Sequence, residues 1–285
     1  MPSPQAGCIS VDGRLLDPHE ATVSALDAGF LLGDGLFESL RACDGMPYLL
    51  DRHLARLLSA AEAMEFEGMP SAKWLAAQVR RTLERAALAD AYLRVTVTRG
   101  SGATVLAAPS GGPAVVIAAL PAPPRVDAAG GIEATLLGPP SELGATAKST
   151  SRQQAVLARR QVVKRGAGEG LYVSEGGHVL EGVSSNLFVV SDGRLSTPPA
   201  GHCLPGITRG RVLELAGEAG VEVTERPVEV DLLTSAEEAF VTNAVQGLRR
   251  LAAIDGTSIG AASPDGVCAR LMALYDADRR AVASA

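Results

Sequence analysis

Apolar residues recur along the chain at two spacings. In DRHLARLLSAAEAMEF (51–66), Leu54, Leu57, Leu58, Ala61 and Met64 form one stripe at helical spacing, with charges elsewhere. A second helix is expected over about 71–88, opened by Ser71 as N-cap. CISVDG, MPYLL, LRVTVTRG and AVVIAALP are β-branched or apolar runs punctuated by glycine, and predict strands. Proline and glycine then crowd into PAPPRVDAAGG, the strongest linker signal in the chain. The expected organisation is a small N-terminal α/β domain over 1–120, a linker over 121–131 and a larger C-terminal domain over 132–285.

The second half opens with the loop SELGATAKSTS, followed by a helix over about 152–165 that ends at Gly166. LYVSEGGHVLEG predicts a hairpin turning at Glu175-Gly176-Gly177, and NLFVVSDGRL another turning at Asp192-Gly193. LPGITRGRVLELAGEAG reads as a loop feeding a helix that Gly220 ends; VEVTERPVEVDLL and EAFVTNA read as strands, and about 265–283 as helix. Mixed strands and helices in this order predict an α/β or α+β fold.

Composition narrows the function. The chain has 285 residues, 47% apolar and 20% charged, which marks a folded globular protein. Its net charge of −6 offers no electrostatic footprint for nucleic acid or an anionic membrane. No apolar run approaches the roughly 18 residues of a membrane span, and MPSPQAGCIS lacks the pattern of a signal peptide. Four scattered cysteines and four histidines argue against a disulfide framework or a metal site. The expectation is a soluble cytoplasmic protein.

Of the 26 basic residues only Lys73, Lys148 and Lys164 are lysines. Lys73 and Lys164 read as solvated helix charges, whereas Lys148 sits in an uncharged loop of small residues, ATAKSTS. A lysine that forms a Schiff base must be reachable and partly desolvated, and Lys148 is the candidate. In GHCLPGITRGRV, a glycine turn running into a helix exposes backbone N–H groups suited to an anion, with Thr208 able to cap. The local pattern alone fits an ordinary capped helix better. GDGLFESLR lacks the dinucleotide and Walker signatures and reads as a structural turn entering a short strand. Glu181, in LEGVSSN, could pair with a protonated ring nitrogen, although an exposed turn acid is the simpler reading.

Taken together, DAGFLLGDGLFESLR, DRHLARL, LRVTVTRG, AKSTS, HVLEGVSSNLFVV, LPGITRGRVLELA and EEAFVTNA resemble, in order, the class IV aminotransferases. These are the fold-type IV pyridoxal-phosphate enzymes: branched-chain and D-amino-acid aminotransferases and aminodeoxychorismate lyases. The resemblance implies a two-domain architecture with pyridoxal 5'-phosphate in the interdomain cleft, and a homodimer. Lys148 would be the catalytic lysine, holding the cofactor as an internal aldimine and shuttling a proton. Glu181 would pair with the pyridine N–H. Arg56, with the backbone N–H groups of Ile207 and Thr208, would hold the phosphate. Asn186 and Asn243 fall at further cofactor-binding positions.

The departures from the family lie around the substrate. TRGSGATVLAAPSGG lacks both the Pro-Arg-x-His of D-amino-acid aminotransferases and the second arginine common in lyases. Arg94 resembles the substrate position of branched-chain enzymes, with Arg99 as fallback. Ser151-Arg152 replaces a frequent Asn-Tyr, and Leu32 stands where relatives often have tyrosine. The expected reaction moves an amino group between an amino acid and a 2-oxo acid. The alternative is 4-amino-4-deoxychorismate lyase, releasing pyruvate and 4-aminobenzoate, toward which Arg152 points. A non-catalytic member of the same fold is the remote third.

Overall fold

A computed structural model of the chain describes residues 6–102, 111–125, 131–140 and 147–283. Parts of the expected linker (126–130), of the loop ahead of Lys148 (141–146) and of the stretch after TRG (103–110) lie outside the described residues. The chain divides into two compact units, one drawn from 1–124, 147–152 and 279–285, the other from 125–146 and 153–278. Each is built on its own sheet, the mixed α/β architecture expected.

The first unit contains β1 (Cys8–Val11), β2 (Arg14–Leu16), α1 (Ala28–Leu32), β3 (Gly35–Cys43) and β4 (Met46–Pro47). They are followed by α2 (Leu50–Ala63), α3 (Ala72–Ala86), β5 (Ala91–Thr98) and β6 (Ala114–Pro121). Among the described residues the strands form one antiparallel sheet in the order β2-β1-β6-β5-β3-β4. Along β5, Ala91, Leu93, Val95 and Val97 are fully buried, and in β3 their register partners are Ala42, Leu40, Glu38 and Leu36. This face packs against Leu50, Leu54 and Leu57 of α2 and Leu75, Val79 and Leu83 of α3. Phe37, Ser39 and Arg41 alternate to the other face, opposite Thr96, Arg94 and Tyr92. Ser71 caps α3 as expected, accepting from the Trp74 N–H at 3.2 Å. The strand expected over MPYLL is confined to Met46–Pro47, because Leu49 turns left-handed (φ 53°) and Leu50 opens α2.

The second unit contains β7 (Ile132–Leu137), α4 (Gln153–Lys164), β8 (Glu169–Val173), β9 (His178–Gly182), β10 (Asn186–Ser191) and β11 (Arg194–Thr197). Next come α5 (Ile207–Glu218), β12 (Val223–Glu225), β13 (Val228–Glu229), α6 (Val230–Thr234), β14 (Glu238–Asn243), β15 (Gly247–Ile254), β16 (Thr257–Ser258) and α7 (Val267–Ala283), whose residues from 279 onward are assigned to the first unit. Among the described residues the strand order is β12-β11-β10-β14-β15-β7-β8-β9-β13, with β16 on β15. Both expected hairpins form, the second on a turn with Asp192 and Gly193 at φ 50° and 68°. VEVTERPVEVDLL, expected as strand, yields only β12 and β13 before VDLLT winds into α6. Leu187, Val189, Ala239, Val241 and Leu251 fill one side of the sheet, while Phe188 and Phe240 stack across the other with centroids 5.0 Å apart. The Glu238 carboxylate caps α7, accepting from the N–H groups of Val267 (3.0 Å) and Cys268 (2.6 Å). Among the described residues no helix is long and apolar enough to cross a membrane.

Candidate active site

In the first unit, β3 and the segment around Lys148 are held together by main-chain pairing. The Phe37 N–H donates to the Lys148 carbonyl at 2.8 Å and the Thr150 N–H to the Gly35 carbonyl at 2.8 Å, flanking an antiparallel bridge between Leu36 and Ser149. The Thr150 and Ser151 hydroxyls donate to the Gly33 carbonyl at 2.7 and 3.1 Å. The Gly-Asp-Gly turn therefore has a specific task. A Cβ on Gly33 (φ 69°) would lie 2.6 Å from Ser151 Oγ, and one on Gly35 would lie 2.9 Å from Thr150 Oγ1. Both glycines make room for the chain that carries Lys148.

Around the buried Phe37 ring stand three cations. The Arg94 guanidinium carbon lies 3.8 Å from the ring centroid, Lys148 Nζ 4.9 Å and the Arg152 guanidinium carbon 5.9 Å, all within cation–π range. Arg94 Nε also donates to Thr96 Oγ1 at 3.2 Å. Arg99 is elsewhere. Its three guanidinium nitrogens donate to Asp34 Oδ2 (2.8 Å), the Glu65 carbonyl (2.9 Å) and the Met64 carbonyl (3.0 Å), and it stacks on Phe66. Leu32 ends α1 with its side chain exposed.

Arg56 lies on α2 and engages Glu38, a residue that no sequence motif singles out. Arg56 Nε and Nη2 donate to Glu38 Oε1 and Oε2, each at 2.7 Å, and His53 Nδ1 lies 2.7 Å from Oε2. Glu38 is 1% exposed and His53 2%. Burial pushes the Glu38 carboxyl up, yet the hydrogen bonds from His53 and Arg56 and the Arg56 charge outweigh it and hold the group below the usual carboxylate range. Burial pushes the His53 imidazole down, against the pull of Glu38 and with the help of the Arg56 and Lys148 charges. A neutral His53 donates its Nδ1–H in a hydrogen bond to the ionised Glu38 carboxylate. One partial signal for this cluster is readable. His53 and Arg56, three apart, interrupt the apolar stripe of α2, and the alternation of LFESLRA puts Glu38 on the same side as the leucines.

In the second unit the LEG..SN.F and L.GITR segments meet at the peptide groups of Leu204. The Leu204 N–H donates to Glu181 Oε2 at 3.0 Å, and Asn186 Nδ2 donates to the Leu204 carbonyl at 2.8 Å. Gly206 is obligatory here, since a Cβ would lie 2.0 Å from Asn186 Oδ1. Gly206, not Thr208, is the N-cap of α5, and no side chain caps the helix. Ile207 and Thr208 form its first turn, and Thr208 Oγ1 sits 3.5 Å from the Tyr275 hydroxyl. Arg209 ties the helix to the approaching loop through the Pro198 carbonyl at 2.8 Å and Glu225, whose carboxyl the arginine holds below its ordinary range. Cys203, in that loop, is pushed up by burial to about 11 and stays a thiol. Asn243 Oδ1 accepts from the N–H groups of Val245 and Gln246 at 3.0 and 2.8 Å, shaping the turn after β14. Thr242 Oγ1, across the ladder from Asn186, is buried with no hydrogen-bond partner among the described residues.

The profile of the family "Amino-transferase class IV" matches residues 35–254. The chain belongs to the class IV aminotransferases, a pyridoxal-phosphate-dependent family. It is 35% identical over 257 residues to a putative branched-chain-amino-acid aminotransferase of Methanocaldococcus jannaschii, covering 88% of this chain and 89% of that one. It is 30% identical to a D-alanine aminotransferase of Bacillus licheniformis, covering 89% and 90%. Its structure matches that of a T.th. branched-chain amino acid aminotransferase complexed with N-(5'-phosphopyridoxyl)-L-glutamate, with a TM-score of 0.88, 26% identity and coverage of 99% and 96%.

The buried His53–Glu38 pair should lower the stability of this aminotransferase in acid. The unfolded chain protonates residue 53 near the ordinary value of 6.5, whereas the folded chain resists, so stability falls as pH drops below that value. Glu38 adds a second loss as pH falls through its lowered carboxyl value. Each group contributes at most about 1.4 kcal/mol per pH unit. Urea midpoints followed by the fluorescence of Trp74, the single tryptophan, should be lower at pH 5 than at pH 7.5. The drop should shrink in His53→Gln, and an equal drop in the variant contradicts a buried neutral imidazole.

Proposed function

We propose that the protein transfers an amino group between an amino acid and a 2-oxo acid, with Lys148 as the catalytic lysine and Arg94 and Arg152 as the grip on a substrate carboxylate. The observation that carries this reading is the convergence of Arg94, Lys148 and Arg152 on the Phe37 ring. Two guanidinium groups beside the lysine draw an anionic substrate toward its amine. Arg99 is left out of this role because its guanidinium is spent on Asp34 and two carbonyl groups.

The residues suit the cofactor. Among the described residues, no side chain caps the main-chain N–H groups in the first turn of α5, and the buried Thr242 hydroxyl in the same unit lacks a partner. Bound pyridoxal phosphate supplies the electron sink that lets a proton leave the substrate Cα. Lys148 then carries that proton away from Cα. Glu181, with one oxygen fixed by the Leu204 N–H, would accept the pyridine N–H and keep it protonated. For the phosphate, the first unit would supply Arg56, and the second the N–H groups of Ile207 and Thr208. Asn186 acts through its hold on Leu204, and Asn243 through the turn it shapes. Leu32 offers an apolar side chain on the substrate side.

A homodimer fits the exposed apolar residues. Val23, Leu26, Phe30, Leu31 and Leu32 lie exposed within one short stretch, and Val156, Leu157 and Val163 lie exposed on α4. Cys8, Cys203 and Cys268, buried free thiols, suit the reducing cytoplasm.

Two measurements test these statements. Arg94→Gln should raise KM for the 2-oxo acid by about 10- to 100-fold, the worth of a charge-assisted hydrogen bond, with kcat changed far less. An unchanged KM rejects the arginine grip, and release of 4-aminobenzoate from aminodeoxychorismate with no amino transfer identifies the lyase instead. Light scattering should give twice the 29.3 kDa chain mass for the parent and a single chain for Phe30→Glu/Leu31→Glu. A monomeric parent rejects the dimer.

A further inference from the structure

Glu38 is an acid on the apolar side of its sheet. It stands on β3 with Leu36, Leu40 and Ala42, beneath the helices, and is 1% exposed. An ionised carboxylate in that position is costly unless it is both paired and hydrogen-bonded. Arg56 meets both of its oxygens through Nε and Nη2, and His53 adds a third bond on Oε2. The Arg56 side chain, at 14% exposure, reaches further out than the carboxylate that holds it. A two-point grip fixes the plane and heading of a guanidinium at the end of a long, flexible side chain.

We infer that Glu38 is a positioning residue for phosphate recognition, holding Arg56 in the orientation in which it meets the cofactor phosphate, with His53 bracing the carboxylate. This rests on the reading of Arg56 as a phosphate ligand. Two effects of Glu38 oppose each other, and their balance makes the inference testable. As a nearby negative charge Glu38 repels a phosphate, so its neutralisation alone tightens binding. As the support of Arg56 it pre-organises a cationic fork, so its loss weakens binding. The bidentate geometry and the burial of all but the outer part of Arg56 make the second effect the larger.

The experiment measures equilibrium affinity for pyridoxal phosphate, and for pyridoxal without the phosphate, on protein resolved of cofactor and refilled. The proteins are the parent, Glu38→Gln, Arg56→Lys and the double variant. Glu38→Gln and Arg56→Lys should each weaken pyridoxal phosphate binding tenfold or more, while pyridoxal binding changes less than twofold. The double variant should bind no more weakly than Arg56→Lys, because the support Glu38 gives runs only through Arg56 and its remaining effect, charge repulsion, is relieved by the substitution. The inference is overturned if Glu38→Gln binds the cofactor as tightly as the parent or more tightly. It is equally overturned if the double variant loses a further tenfold, or if pyridoxal is lost in step with pyridoxal phosphate. Unchanged binding by Arg56→Lys removes the phosphate role of Arg56 itself, and the inference with it. If Glu38→Gln does not fold, Glu38→Asp, which keeps the charge and shortens its reach, is expected to show the same loss.

Discussion

The alternation of side chains along a single strand is what the chemistry of the first unit depends on. Along β3, Phe37 and Glu38 are neighbours in sequence and belong to opposite faces of the sheet. Phe37 presents its ring to Arg94, Lys148 and Arg152, while Glu38 turns beneath the helices and binds His53 and Arg56. Shifting the register by one residue would place the carboxylate among the cations and the ring among the leucines, undoing both arrangements. The register is held by the full-length pairing of β3 with β5 and by the main-chain bonds from Phe37 to Lys148 and from Thr150 to Gly35. Position of the lysine and burial of the acid are consequences of the same ladder.

The second unit uses a different device. No helix or strand there carries all of its candidate groups, and the Leu204 backbone is the point where several of them meet. Glu181 takes its N–H and Asn186 its carbonyl, so a carboxylate, an amide and the entry to α5 are fixed with respect to one another. The glycine at the N-cap leaves the first-turn N–H groups without a side-chain partner. That combination costs stability in a helix and is useful where an anion is to be held.

Local pattern reveals much of this and conceals some of it for identifiable reasons. The stripe of α2, the Ser71 cap and the two glycine hairpins follow from periodicity and turn chemistry, and the structure has them. β15 is not readable because Arg249 and Arg250 interrupt its apolar run. Arg249 is instead held against Glu169, which only the folded sheet brings within 2.9 Å. Thr208 resembles a cap because a hydroxyl precedes the apolar run, but the cap is Gly206, two residues earlier, and Thr208 lies inside the first turn. The Gly-Asp-Gly turn reads as merely structural, since nothing local shows that a segment more than 110 residues later must pass against it. Glu38 is only half legible. The polar interruption of α2 is visible in the sequence, but that an acid of β3 lies beneath it follows only from the packing of helix on sheet. Motif resemblance suggests the roles of Lys148 and Glu181, whose local surroundings alone leave them open.

The reading stands or falls on Lys148, and neither of the other two lysines, carrying the cofactor. Borohydride reduction of the holoprotein followed by peptide mapping tests it directly. The expected result is a phosphopyridoxyl group on the peptide containing Lys148 and loss of the visible absorbance on reduction. The group on Lys73 or Lys164, or on no peptide at all, would contradict it.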